Sequence, residues 1–166
     1  MRELLRRAES RRSRVEQNGS LLRWGNVVTS MESLGVKHED GTIDTCQRAH
    51  LGARLDALSL EELYWDEIRR VTLGLAQFSR STIRLLGVWP VVLRFGPLVD
   101  GRRAILGGLF ARRPGGAIVW RSDGEYTSVA VEGFAPLLRG PLWRLESSFH
   151  DLVGRRFLAR VAREVR

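Results

Sequence analysis

Three histidines and one cysteine bound the metal and nucleophile chemistry open to this 166-residue chain. His38, Glu39, Asp44, Cys46 and His50 carry ligand-type side chains within one short stretch. A structural zinc site draws four Cys or His ligands at tight paired spacing. One cysteine with scattered histidines falls short of that, and no metal is expected. His150 precedes Asp151, but neighbours on a helix point about 100° apart. A catalytic role for His150 therefore needs a partner from elsewhere in the chain. Glu61, Glu62, Asp66 and Glu67 offer paired carboxylates of the kind used in acid–base work. They fall in the opening turns of a predicted helix, where acids complement the helix dipole and pair with Arg69 and Arg70. The patterns G-x-S-x-G, G-x-x-x-x-G-K-[ST] and G-x-G-x-x-G are absent, which removes the common nucleophile and phosphate loops. No catalytic residue is assigned and no cofactor is expected. Arg112-Arg113-Pro114-Gly115-Gly116 joins two guanidiniums to a glycine turn. Arg112 and Arg113 are thus a candidate anion-binding pair, with a plain basic turn as the simpler account.

The charge balance, 27 Lys+Arg against 19 Asp+Glu, gives +8. Such a surplus favours phosphate-bearing partners. Lys37 is the sole lysine, however, so the bias reads first as the codon drift of a GC-rich genome. Arg2, Arg6, Arg7, Arg11, Arg12 and Arg14 crowd one end, and Arg155, Arg156, Arg160, Arg163 and Arg166 the other. A single cysteine cannot close an internal disulfide, which places the chain in the cytoplasm by default. No run reaches the ~18 apolar residues of a membrane span, and no basic segment followed by an apolar one opens the chain, so no secretory signal is expected. With 43% hydrophobic and 28% charged residues, the composition excludes collagen-like and fully disordered chains.

These residues need elements to position them. Residues 1–16 read as a basic N-terminal tail or weak helix, and residues 17–166 as a single α+β domain legible from 59 onward. In 17–58, glycines punctuate short apolar pieces, and Asp40-Gly41 marks a turn within a possible hairpin. Ser59-Leu60-Glu61-Glu62 has the form of a capping box. Leu60, Tyr64, Ile68, Val71, Leu75 and Phe78 then follow at helical spacing. This predicts a long amphipathic helix running to Leu86, capped by Gly87, with Gly74 a break or close crossing. From Trp89 the period changes to two. Strands are expected over 89–95, 103–112, 117–120 and 126–134, separated by Pro97, Asp100-Gly101, Pro114-Gly115-Gly116 and Asp123-Gly124. Turns this short leave no room for crossover helices, so the sheet is an antiparallel meander. Leu142, Leu145, Phe149, Val153, Phe157, Val161 and Val165 then predict a long amphipathic terminal helix, with Gly154 at a close contact.

The meander over 91–134 followed by the helix over 142–165 resembles the START-like, or Bet v 1-like (SRPBCC), helix-grip families. The resemblance covers roughly residues 60–166 and is one of architecture. It implies an α+β fold in which an antiparallel meander wraps a long C-terminal helix, leaving space for an apolar ligand. Gly107 and Gly108, read as mid-strand, admit a close neighbour. Phe110, Trp120, Tyr126, Phe134 and Phe149 would line an apolar chamber with Ser128 and His150 as polar anchors; a filled core is the simpler reading of the same aromatics. The expected function is non-catalytic binding of an apolar small molecule or lipid. The alternatives are a basic interaction module for nucleic acid or an anionic membrane surface, and a cavity enzyme using His150 as acid or base.

Overall fold

A computed structural model of the chain describes residues 13–24, 27–87, 90–137 and 143–165. Nine strands form one sheet, β1 (Ser13–Trp24), β2 (Val27–His38), β3 (Ile43–His50), β4 (Ala76–Ser79), β5 (Thr82–Leu85), β6 (Val91–Val99), β7 (Arg102–Gly107), β8 (Ala117–Ser122) and β9 (Tyr126–Phe134). Helix α1 (Ala57–Val71) stands between β3 and β4, and α2 (Trp143–Glu164) follows β9. The sheet order is β1-β2-β3-β9-β8-β7-β6-β5-β4, with every pair antiparallel. The chain is α+β with an open antiparallel sheet and a C-terminal helix. No helix among the described residues is long and apolar enough to cross a membrane.

The strands around 117–122 and 126–134 and the terminal helix fall where the periodicity placed them, but β6 runs through Pro97 to Val99 and β7 ends at Gly107 rather than Arg112. Five further expectations need correction. Helix α1 ends at Val71 rather than Leu86: Thr72 caps it, its hydroxyl donating to the Ile68 carbonyl at 2.8 Å, and Leu73 and Gly74 turn left-handed. Leu75 and Phe78 continue the helical spacing, but the β4–β5 hairpin claims this stretch, turning Ala76 and Phe78 inward and leaving Leu75 exposed. Gly87 therefore caps no helix. Ser59 is not the N-cap. Asp56 is, accepting the Ser59 amide at 2.9 Å and its hydroxyl at 2.6 Å. Residues 13–16 belong to β1, while 1–12, Trp89 and Leu142 lie outside the described residues. Finally, Gly107 ends β7 and Gly108 follows it, so neither is mid-strand. A Cβ on Gly108 would meet the backbone of Val92 and Leu93, so the close neighbour there is β6 itself.

The core lies between the sheet and the two helices. From α1 come Leu60, Tyr64, Trp65 and Ile68, and from α2 Val153, Phe157, Leu158 and Val161. The sheet supplies Met31, Ile43, Phe95, Ile118, Trp120, Val129 and Val131. Each fully buried side chain of this size stabilises the fold by about 1.5–3 kcal/mol before entropy is counted. Tyr64 meets Trp120 and Phe157 edge to face, both at 5.6 Å between centroids, and Trp65 stacks on Phe78 at 4.2 Å. At the level of Trp120, aromatic rings thus occupy the space between sheet and helices.

Glu61, Asp66 and Glu67 of α1 pair with arginines across the fold instead of with Arg69 and Arg70. Buried Glu61 binds the Arg103 guanidinium of β7 and accepts the Trp65 indole N–H at 2.7 Å. Buried Glu67 pairs with Arg156 of α2 at 2.6 Å, and Asp66 with Arg160 at 3.3 Å. Gly154 marks the close contact expected of it: its missing Cβ would coincide with the Gln47 side-chain amide oxygen. The Gln47 amide nitrogen donates to Asp151 at 2.8 Å, fastening α2 to β3.

Candidate functional site

The two faces of the sheet differ. Opposite the helices lie Leu34, Val36, Cys46, Ala117, Val119 and Ala130, a second and smaller apolar cluster. Burial raises the pKa of the Cys46 thiol, which keeps it protonated and unreactive. The pairing register extends this face toward the β8–β9 turn. Cys46 stands opposite Ala130, Arg48 opposite Ser128, and Ser128 opposite Arg121. Directly paired residues of an antiparallel sheet share a face, so Arg48, Ser128 and Arg121 form one row across β3, β9 and β8. Tyr126 begins the next row beside His50, its ring 5.3 Å from the imidazole.

Local bonds fix the end of this face. Asp123 accepts the amides of Glu125 at 3.0 Å and Tyr126 at 2.7 Å, closing the β8–β9 turn. Those bonds hold its carboxyl below the usual carboxylate range. The Ser122 hydroxyl donates to the Ala53 carbonyl at 3.1 Å and accepts the Leu55 amide at 3.2 Å, tying the chain ahead of α1 to the hairpin. The Trp120 amide donates to the Gly101 carbonyl at 2.8 Å, laying the β6–β7 turn alongside.

These pieces enclose a partly open cavity of about 800 Å³. Its wall includes Arg48, Arg54, Arg121, Tyr126 and Ser128 together with Asp56, Asp100 and Asp123. The Arg48 guanidinium lies over the Tyr126 ring, 4.7 Å from its centroid, while pairing with Glu32 at 2.7 Å. Asp56 takes the Ser59 amide and hydroxyl on its two oxygens, and Asp123 takes both turn amides on one oxygen. Arg121 comes no nearer than 3.9 Å to Glu132. The wall therefore offers two guanidiniums and a hydroxyl beside a flat cationic and aromatic surface, with the Asp100 and Asp123 carboxylates in the same lining.

The residues singled out from the sequence divide among four places. Trp120, Tyr126 and Ser128 border the cavity, although the Trp120 ring is buried on the opposite side of the sheet among Tyr64 and Trp65. Phe134, Phe149 and His150 meet where β9 approaches α2, with ring centroids 6.3 and 6.2 Å from the imidazole. Burial there pushes the His150 pKa down to about 4. Its neighbour Asp151 is taken by Gln47 and by Arg155 at 2.7 Å. Gly107, Gly108 and the exposed Phe110 lie at the turn after β7, away from the cavity. Arg112 and Arg113 both reach the chain's own Asp40. Arg113 reaches its carboxylate at 2.8 Å and Arg112 its carbonyl at 3.4 Å. Bonds from Thr42 first, and Arg113 after, hold that carboxyl down at about 2. The nearby His38 is paired with buried Asp44 at 3.0 Å.

Arg48, Arg54 and Arg121 were not legible as site residues. The Asp123-Gly124 turn signals the hairpin that carries Arg121, Tyr126 and Ser128, but nothing in the sequence brings Arg48 of β3 alongside. Comparison with protein-family models, with curated proteins and with solved structures found no match to this chain.

Proposed function

We propose that this chain is a non-catalytic small-molecule-binding protein whose site is the cavity at the β8–β9 end of the sheet. The ligand class is a compact molecule with a carboxylate or phosphate and a flat body. One observation carries this reading. Arg54, Arg121 and Ser128 present unspent donors around a cavity of about 800 Å³ that also holds the Arg48–Tyr126 stack. Binding sites commonly combine a concave wall with a few converging polar groups, and guanidiniums suit flat, two-oxygen acceptors. The helix-grip resemblance remains part of the proposal. The strand ahead of α1 (β3) beside the last one, a six-strand meander from β4 to β9 and a terminal helix against the sheet all support it. The ligand site proposed differs from the apolar chamber expected from that resemblance, because rings from Tyr64, Trp65, Trp120 and Phe157 fill the interior at that level.

The test uses an anionic aromatic probe, 8-anilinonaphthalene-1-sulfonate, titrated into the folded protein. Saturable binding should weaken about tenfold or more in Arg54→Ala/Arg121→Ala, since a charge-assisted hydrogen bond is worth about 1.5–3 kcal/mol. Equal binding by that variant and the parent protein would refute the site.

A further inference from the structure

The edge of the sheet remote from β1 carries a surface that the proposed cavity does not use. Leu73, Leu75 and Leu86 are 90%, 51% and 67% exposed, and backbone bonding makes them one patch. The Leu86 amide donates to the Leu75 carbonyl at 2.6 Å, and Leu73 is one residue removed across Gly74. Leu73 and Leu86 hold left-handed backbones, at φ 52° and 55°. That region suits glycine or asparagine, and a leucine there is strained. Two leucines are thus kept in unfavourable conformations with their side chains in water. Strain of this kind gathers at functional surfaces.

The stretch of chain that carries the patch has charge of one sign. From Arg69 through Val99 the chain contains Arg69, Arg70, Arg80, Arg84 and Arg94 and no Asp or Glu. All five arginines are exposed, and none pairs with a carboxylate among the described residues. Register places several of them on the leucine face. Arg84 stands opposite Gln77, two residues from Leu86 and Leu75 respectively, and Arg94 stands opposite Thr82. Arg69 and Arg70 end α1 immediately before Leu73, where they also complement the helix dipole. A protruding apolar tip set in a basic field matches a bilayer interface with anionic headgroups, where leucine enters the acyl boundary and arginine meets phosphate. A polyphosphate chain would use the arginines but gain nothing from three leucines.

We infer that the Leu73–Leu75–Leu86 tip, with Arg69, Arg70 and Arg84, docks this protein onto an anionic lipid surface. The inference is independent of the cavity reading.

The test is co-sedimentation of the full chain with phosphatidylcholine–phosphatidylserine vesicles, against phosphatidylcholine alone and against a duplex oligonucleotide. Binding should require phosphatidylserine and weaken as salt rises from about 0.1 M to about 0.5 M. Leu73→Asn/Leu86→Asn suits the left-handed backbone, so its melting temperature should hold or rise while vesicle partitioning falls about tenfold or more. Arg69→Gln/Arg70→Gln/Arg84→Gln should lower partitioning by a similar factor. Absence of sedimentation with either vesicle would overturn the inference. So would undiminished binding by the folded asparagine variant, or retention on the oligonucleotide with vesicles ignored.

Discussion

Replacing Glu61 by alanine gives the sharpest test of how the sheet and helix α1 are joined. Glu61 is buried, and the Arg103 side chain that it binds is only 13% exposed. Arg103 would keep its bond to the Gly96 carbonyl at 2.7 Å and its place over Phe78, but no counter-charge. Stranding one member of a buried ion pair costs about 3–5 kcal/mol. The Trp65 indole N–H would lose its partner as well, a further loss of about 1–3 kcal/mol. These terms overlap at one carboxylate, and we expect about 4 kcal/mol in total, a large share of the roughly 5–15 kcal/mol that holds a domain together. Urea unfolding followed by tryptophan fluorescence measures it as a lower midpoint at unchanged slope. The double variant Glu61→Leu/Arg103→Met removes both charges, since apolar replacement of a buried pair is often neutral. It should lie within about 2 kcal/mol of the parent protein, the remainder being the unpaired indole. A loss below about 1 kcal/mol in Glu61→Ala would refute the reasoning. So would a double variant as unstable as the sum of the two single ones.

Three further outcomes follow from the same contacts. With its pKa lowered from 6.5 to about 4, His150 binds fewer protons folded than unfolded. Stability should therefore be full above about pH 6.5 and decline by up to about 3 kcal/mol as pH falls toward 4. His150→Phe should remove that slope in urea titrations across the window, and an unchanged slope would assign it to other groups. Gly154→Ala should cost about 1–3 kcal/mol because the new Cβ displaces Gln47 from Asp151, despite a helix-propensity gain of about 1 kcal/mol; a higher melting temperature would show that α2 does not approach β3 this closely. Asp56→Ala should lower the melting temperature through loss of the α1 cap, with Asp56→Asn close to neutral in the same thermal melt.

What the sequence made legible follows from how many faces each element buries. Helix α2 packs one side only, so Val153, Phe157 and Val161 recur at helical spacing. The β6–β9 meander is punctuated by Asp100-Gly101 and Asp123-Gly124, whose turn chemistry is local. Strand β3 is the opposite case. Ile43 and Ala49 face the helices while Cys46 joins the other cluster, and Asp44 and Gln47 are buried polar residues satisfied by partners distant in the chain. Burial on both faces erases the alternation that marks a strand. The overrun of α1 has a different origin, since Leu75 and Phe78 continue the helical spacing past the left-handed turn at Leu73 and Gly74 that ends the helix. The candidate site inherits these differences. The hairpin that carries Tyr126 and Ser128 is legible from Asp123-Gly124, although both residues read as lining an apolar chamber under the terminal helix. Arg48 depended on the register of β3, and Arg54 lies in a connection positioned by Ser122 through bonds that no sequence pattern announces.

Backbone amide chemical shifts of the isotope-labelled protein, followed through a titration with 8-anilinonaphthalene-1-sulfonate, test the proposed site most directly. The account predicts that the largest changes fall on Arg48, Arg54, Arg121, Tyr126 and Ser128, with Phe149, Val153 and Phe157 left unmoved. Changes centred on those last three residues would put the ligand between sheet and helix and contradict it.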